Sequence, residues 1–238
     1  MTKKLTSALL AVFFTIALGL TSCNTDDDNG GGVDNLCADF VTFVSTGDQG
    51  TVFTFRKSGD SELITLTAPV KVDTQQIKLG SRVIIQYVPS GGQAPYQSGP
   101  INLYNITRII NAGIEEESAE TIDSWGHDPI NVHTISRSGQ YLDLWAEASC
   151  GTNPKRFVLV ADKATMADEY PQLYLIFVTD DDLGRVRQVY ASFDLSKVWD
   201  LETSKGARLT YYTGGGEETM TLQKSERLPL QPDDTPIQ

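Results

Sequence analysis

From Cys37 onward the chain alternates short apolar runs with turn residues, a spacing that predicts β-strands rather than helices. In the first part the runs are Phe40–Val44, Val52–Phe55, Glu62–Leu66, Arg82–Val88 and Ile101–Ile106. Turn signals at Ser45–Gly50, Ser58–Asp60 and Leu79–Ser81 lie between them. Runs this short and this close predict a small closed, OB-like barrel over 37–113, because closure removes exposed sheet edges. Glu115–Glu120 breaks the pattern and predicts a short acidic helix inside a linker, 114–120. Strand patterning then resumes at 130–135, 140–148, 156–161, 172–179, 186–195, 207–213 and 219–223. Phe157–Val160 and Leu173–Val178 are apolar on both faces, so they belong in the middle of a sheet. This second set predicts a β-sandwich over 121–227, with one helical turn at Ser196–Trp199. The proline-bearing end, 228–238, predicts no regular structure. The expected fold class is all-β, a barrel followed by a sandwich.

The N-terminus has a different pattern. Lys3 and Lys4 precede an apolar run from Ser7 to Leu20, and small residues then lead into Cys23. The layout is that of a secretory signal, and the apolar run is shorter than the roughly 20 residues that span a bilayer. Leu20-Thr21-Ser22-Cys23 resembles the cleavage box of bacterial lipoproteins. The resemblance implies removal of residues 1–22 and lipidation of Cys23. Several acyl chains make a durable anchor where one chain is marginal. Asp26, Asp27 and Asp28 resemble the export signal that sends lipoproteins of Bacteroidota to the outer face of the outer membrane. The implied address is the outer membrane facing the cell exterior, with the periplasmic face as the alternative. Residues 23–36 are otherwise an acidic, glycine-rich tether with nothing to bury. The aspartate spacing there does not make a calcium loop, because Cys37 stands where the closing glutamate belongs.

Charge narrows the partners. The chain carries 31 acidic and 19 basic residues. Residues 114–238 hold 22 of the acids against 11 bases, whereas 37–113 hold five acids and six bases. Such a balance excludes nucleic acid, which needs a basic face to neutralise phosphates. It leaves the lipid on Cys23 as the membrane contact. Once Cys23 is lipidated, Cys37 and Cys150 remain. In an oxidising compartment they either pair as a disulfide across the two halves or stay as separate buried thiols.

The chemistry on offer is sparse. No nucleophile elbow, phosphate loop or dinucleotide fingerprint occurs. His127 and His133, the two histidines, would stand about 20 Å apart on a single strand, too far to share a metal. Asp180–Asp182 sits at an expected hairpin tip, where three acids are ordinarily solvated. The expectation is therefore no cofactor, no metal and no enzymatic activity. One strand does invite a ligand. With Leu142, Leu144, Ala146 and Ala148 inward, Tyr141, Asp143, Trp145 and Glu147 share the opposite face. Aromatic rings interleaved with carboxylates can stack on a sugar ring while accepting its hydroxyl protons, or can anchor a protein. The competing expectation is that this face packs on the neighbouring domain or under a loop.

Four segments carry a wider resemblance: Leu79–Tyr87, Ile101–Ile106, Gln140–Leu144 and Tyr190–Leu195. Together they are similar to the NigD-like lipoproteins of Bacteroidota. The resemblance implies an N-terminal OB-type barrel and a C-terminal β-sandwich behind a lipid anchor. It implies no enzymatic activity. What it adds on function is a binding or accessory role, with a part in bacteriocin production or immunity as the alternative.

Overall fold

A computed structural model describes residues 35–149, 156–179 and 185–224. Five strands form the first unit: β1 (Cys37–Gly47), β2 (Gly50–Phe55), β3 (Ile64–Ala68), β4 (Arg82–Pro89) and β5 (Gly99–Arg108). They close as a barrel in the order β1-β2-β3-β5-β4, with β4 returning to β1. The long β1 makes the closure possible. Its first half pairs with β4 and its second with β2, and a bulge between Phe43 and Ser45 bends it between the two. Alternate residues point inward, and Val41, Phe43, Phe53, Leu66, Ile85 and Ile101 fill the interior. The Phe43 and Phe53 ring centroids lie 5.8 Å apart. Gly50, at φ +102°, is required at the β1–β2 turn, since a Cβ there would stand 2.2 Å from the Ala68 carbonyl oxygen.

The second unit contains β6 (Ile110–Glu117), β7 (Ile130–Ser138), β8 (Tyr141–Ser149), β9 (Arg156–Asp162), β10 (Gln172–Val178), β11 (Val186–Asp194), β12 (Gly206–Thr213) and β13 (Gly216–Gln223). They form one eight-stranded sheet in the order β13-β12-β10-β9-β6-β11-β8-β7. The sheet curls so that β12 comes up against β7. Its two halves thus face each other across a shared core that includes Leu144, Leu159, Leu175, Phe193 and Leu209. Two short helices accompany it, α1 (Ala119–Asp123) and α2 (Ser196–Trp199), the latter as expected. Ser118 caps α1, its Oγ accepting from the Thr121 amide at 3.3 Å. Among the described residues no helix is long and apolar enough to cross a membrane.

The expected linker at 114–120 is replaced by structure. β5 ends at Arg108, and β6 begins at Ile110 and runs through Glu117 as an interior strand, parallel to both β9 and β11. Its charges are accommodated because only Ile114 is buried, while the carboxylates reach flanking bases. Glu116 lies 3.1 Å from Lys197, Glu117 3.7 Å from Lys163 and Glu115 3.8 Å from Arg156. The helix begins only at Ala119 and takes in just Glu120 of the acidic run.

The two units meet through buried polar contacts. Arg82 opens β4, and its guanidinium lies 2.5 Å from Asp143 on β8, with both side chains 3% exposed. Ser138 and Ser192 donate to the same carboxylate at 2.5 and 2.6 Å. Asn111 on β6 clasps the Arg82 backbone, accepting from its amide at 2.6 Å and donating to its carbonyl at 2.9 Å. A second tie lies alongside, where Arg137 grips both carboxylate oxygens of Asp60 at 2.8 and 2.7 Å. Gly59 there pairs with Ser138 as a short parallel bridge. Removing one partner of a buried pair strands the other charge, so Asp143→Ala should cost about 3 to 5 kcal/mol in urea unfolding. Replacing both, as Arg82→Met with Asp143→Leu, should cost much less. Equal losses would show that the carboxylate matters only for packing.

One titratable group in the barrel opposes the fold. Asp39 accepts a hydrogen bond from the buried Tyr87 hydroxyl at 2.9 Å. Burial raises its carboxyl to about 6, with the Tyr87 hydrogen bond and Lys57 pulling the other way. Burial, followed by the Asp39 charge, likewise pushes the Tyr87 phenol up. A carboxyl whose folded pKa exceeds its unfolded one stabilises most below the unfolded value, and that contribution is lost as pH rises through the folded value. Asp39→Asn should therefore gain stability over the natural chain above pH 6, with the gain shrinking as pH falls toward 4. Thermal melts of both proteins across that range check the sign.

Candidate functional site

β8 alternates as its sequence requires: Leu142, Leu144, Ala146 and Ala148 are buried, and the intervening side chains face the other way. The structure divides the four outward residues between two environments. Asp143 is only 2% exposed and belongs to the joint with the barrel, so it is not part of an open face. Tyr141 joins it there, with the Arg82 guanidinium 4.6 Å from its ring centroid. The physical reason is Arg82, a buried charge whose nearest compensating carboxylate is Asp143.

Trp145 and Glu147 remain half-exposed, and the register of β11 gives each a partner. Tyr190 stands opposite Trp145, and Gln188 opposite Glu147. The Trp145 and Tyr190 rings lie within 16° of parallel, their centroids 6.3 Å apart. Phe40 of the barrel continues the strip 6.5 Å beyond Tyr190. His133 flanks the other side, 4.5 Å from Trp145, in a bulge of β7 between Val132 and Thr134. Aromatic side chains thus run from the sheet onto the barrel.

Gln188 organises the polar part of this strip. Its Oε1 accepts from Trp145 Nε1 at 2.6 Å and from the Tyr190 hydroxyl at 2.8 Å, while its Nε2 donates to Glu147 at 3.3 Å. Glu147 also accepts from Asn131 and lies 3.4 Å from His133 Nε2. Burial, and then the Glu147 charge, raise the Tyr190 phenol, which keeps it a neutral donor. Donors and acceptors beside flat rings suit recognition of a polar, ring-shaped or planar ligand. Gln188, Tyr190, His133 and Phe40 are the residues that sequence reasoning missed here. The period-two pattern over 186–195 already put Gln188 and Tyr190 on one face; the pairing with β8 was the missing link.

The other singled-out residues lie elsewhere. Cys23, Asp26, Asp27, Asp28, Cys150 and the Asp180–Asp182 tip are outside the described residues, as is 228–238. Cys37 is buried in the barrel opposite Tyr87, its thiol 3.5 Å from the Asn35 carbonyl oxygen. His127 lies in the loop before β7 and stacks on Tyr212 of β12, ring centroids 4.3 Å apart, whereas His133 is on β7 itself. Among the described residues no three His, Cys, Asp or Glu side chains are grouped to hold a metal.

Comparison with known proteins bears on the architecture. Residues 113–224 match the family model described as the NigD-like C-terminal beta sandwich domain. The comparison with curated proteins returns no match. Among solved structures, a protein of unknown function from Bacteroides vulgatus aligns with a TM-score of 0.65 at 18% identity, over 84% of this chain and 96% of its own. A protein from Parabacteroides distasonis, described in relation to a toxin, aligns at 0.58 and 19% identity, over 79% and 92%. A NigD-like immunity protein from Bacteroides caccae aligns at 0.50 and 16%, over 77% and 90%. At these identities the solved structures share the fold alone. Residues 113–224 thus form a NigD-like C-terminal beta sandwich domain.

Proposed function

We propose that this protein is a lipid-anchored, non-enzymatic binding module of the outer membrane that presents the Trp145–Tyr190 strip to a glycan or protein ligand outside the cell. The observation that carries the reading is the half-exposed aromatic strip with its ordered amide and carboxylate edge. A flat indole and phenol can stack on a sugar ring while Glu147 and Gln188 exchange hydrogen bonds with its hydroxyls. Hydrolysis finds less support at this face. Asp143, the other carboxylate on β8, is held by Arg82, Ser138 and Ser192, so it is not available as the second member of an acid–base pair. A part in bacteriocin production or immunity is the second reading. It leans on the descriptions of two solved structures, an immunity protein and a toxin-related one, which share only the fold with this chain.

The anchor rests on the Leu20–Cys23 box. Cys23→Ala should abolish incorporation of labelled fatty acid, and unchanged labelling would remove the anchor. Replacing Asp26, Asp27 and Asp28 together with Ala should shield the protein from protease added to intact cells. The ligand reading is tested by screening the full chain in detergent against glycans and surface proteins, with general hydrolase substrates alongside. For any ligand found on the strip, Trp145→Ala should weaken binding by about 2 kcal/mol or more, roughly thirtyfold. Turnover of a substrate, abolished by changing a single carboxylate, would reverse the non-enzymatic assignment.

A further inference from the structure

An open cleft of about 850 Å³ lies between β7 and the β12–β13 hairpin, where the two ends of the curled sheet approach each other. Three features define what can fill it. The first is an unpaired strand edge. β8 covers one side of β7 along its whole length, whereas on the other side the barrel reaches only the end, with the Gly59 amide donating to the Arg137 carbonyl at 2.6 Å. Among the described residues nothing pairs with that second edge from Ile130 to Ser136. The edge is about 23 Å long at the usual strand rise. It carries no Lys or Pro to discourage pairing. The His133 bulge leaves two runs, 130–132 and 134–136, to which a strand could hydrogen-bond.

The second feature is an apolar floor. Val132, Ile135 and Met220 line the cleft and pack on the main core while remaining partly open to solvent. The third is charge. Glu147 and Glu218 stand at the cleft and no Lys or Arg lines it. A compact ligand could cover the floor but would leave the strand edge unpaired. An extended peptide meets all three demands, with backbone groups for the edge, alternate apolar side chains for the floor and basic side chains for the carboxylates.

We infer that this cleft binds an extended, Lys- or Arg-bearing segment of a partner protein by strand addition to β7. The cleft adjoins the aromatic strip and shares His133 and Glu147 with it, while Trp145 itself does not line the cleft. The probes are the acetylated, amidated decapeptide (Val-Lys)5 and its (Val-Glu)5 counterpart, added to the full chain in detergent. The lysine peptide should bind, more weakly as salt rises, and should slow hydrogen exchange of the amides in 130–136. Glu218→Lys should lower its affinity about tenfold. N-methylation of alternate residues, which removes backbone donors while keeping the charges, should abolish binding. Failure of the lysine peptide to bind, equal binding of the glutamate peptide, or protection appearing on β13 or the barrel instead would overturn the assignment. A glycan found on the Trp145 strip would stand whichever result is obtained.

Discussion

The pairing of Arg82 with Asp143 is the constraint on which the arrangement of this molecule depends. An arginine at the start of a barrel strand is carried into a buried position, and burial of an unpaired guanidinium is prohibitively costly. The sheet brings Asp143, Ser138 and Ser192 to it together. Those residues come from three adjacent strands, β8, β7 and β11, so one barrel side chain is tied to three strands of the sheet at once. Desolvation offsets much of the Coulomb attraction between the two charges, so the pair's contribution is more to geometry than to net stability. Asn111 adds a neutral clasp on the same residue, and Arg137 with Asp60 holds the adjoining corner.

That joint also determines the surface. β1, which carries Phe40, is paired with β4 beside Arg82, and Phe40 reaches Tyr190 across the boundary between the two units. The aromatic strip is therefore composite, continuous only while barrel and sheet keep their relation. The same holds for β7, whose final residues bind the barrel loop at Gly59 while its earlier residues face the cleft. Rigid placement of the two units is what turns scattered strand positions into candidate binding surfaces.

Most strands were legible because each is a short apolar or alternating run between turn residues, a local signal. β6 was not. Ile110 to Glu117 contains three acids, a glycine and one buried isoleucine, and its strand state comes from parallel neighbours β9 and β11, distant in sequence. Tertiary pairing overrode local preference there. For β8 the alternation told which side chains leave the core. It could not tell that two of the outward four meet the barrel, because Arg82 precedes Asp143 by a long stretch of chain. The partners Tyr190 and Gln188 were hidden for the same reason: a face is local information, while a register is not.

The central claim is that barrel and sheet behave as one cooperative body. All three tryptophans, Trp125, Trp145 and Trp199, belong to the second unit, so selectively excited tryptophan fluorescence reports that unit alone. Amide exchange at Phe53 and Ile85 reports the barrel core. Followed together through a urea titration, the two signals should change at the same midpoint. Exchange of the barrel amides at a clearly lower urea concentration, while the tryptophan signal stays native, would contradict the account.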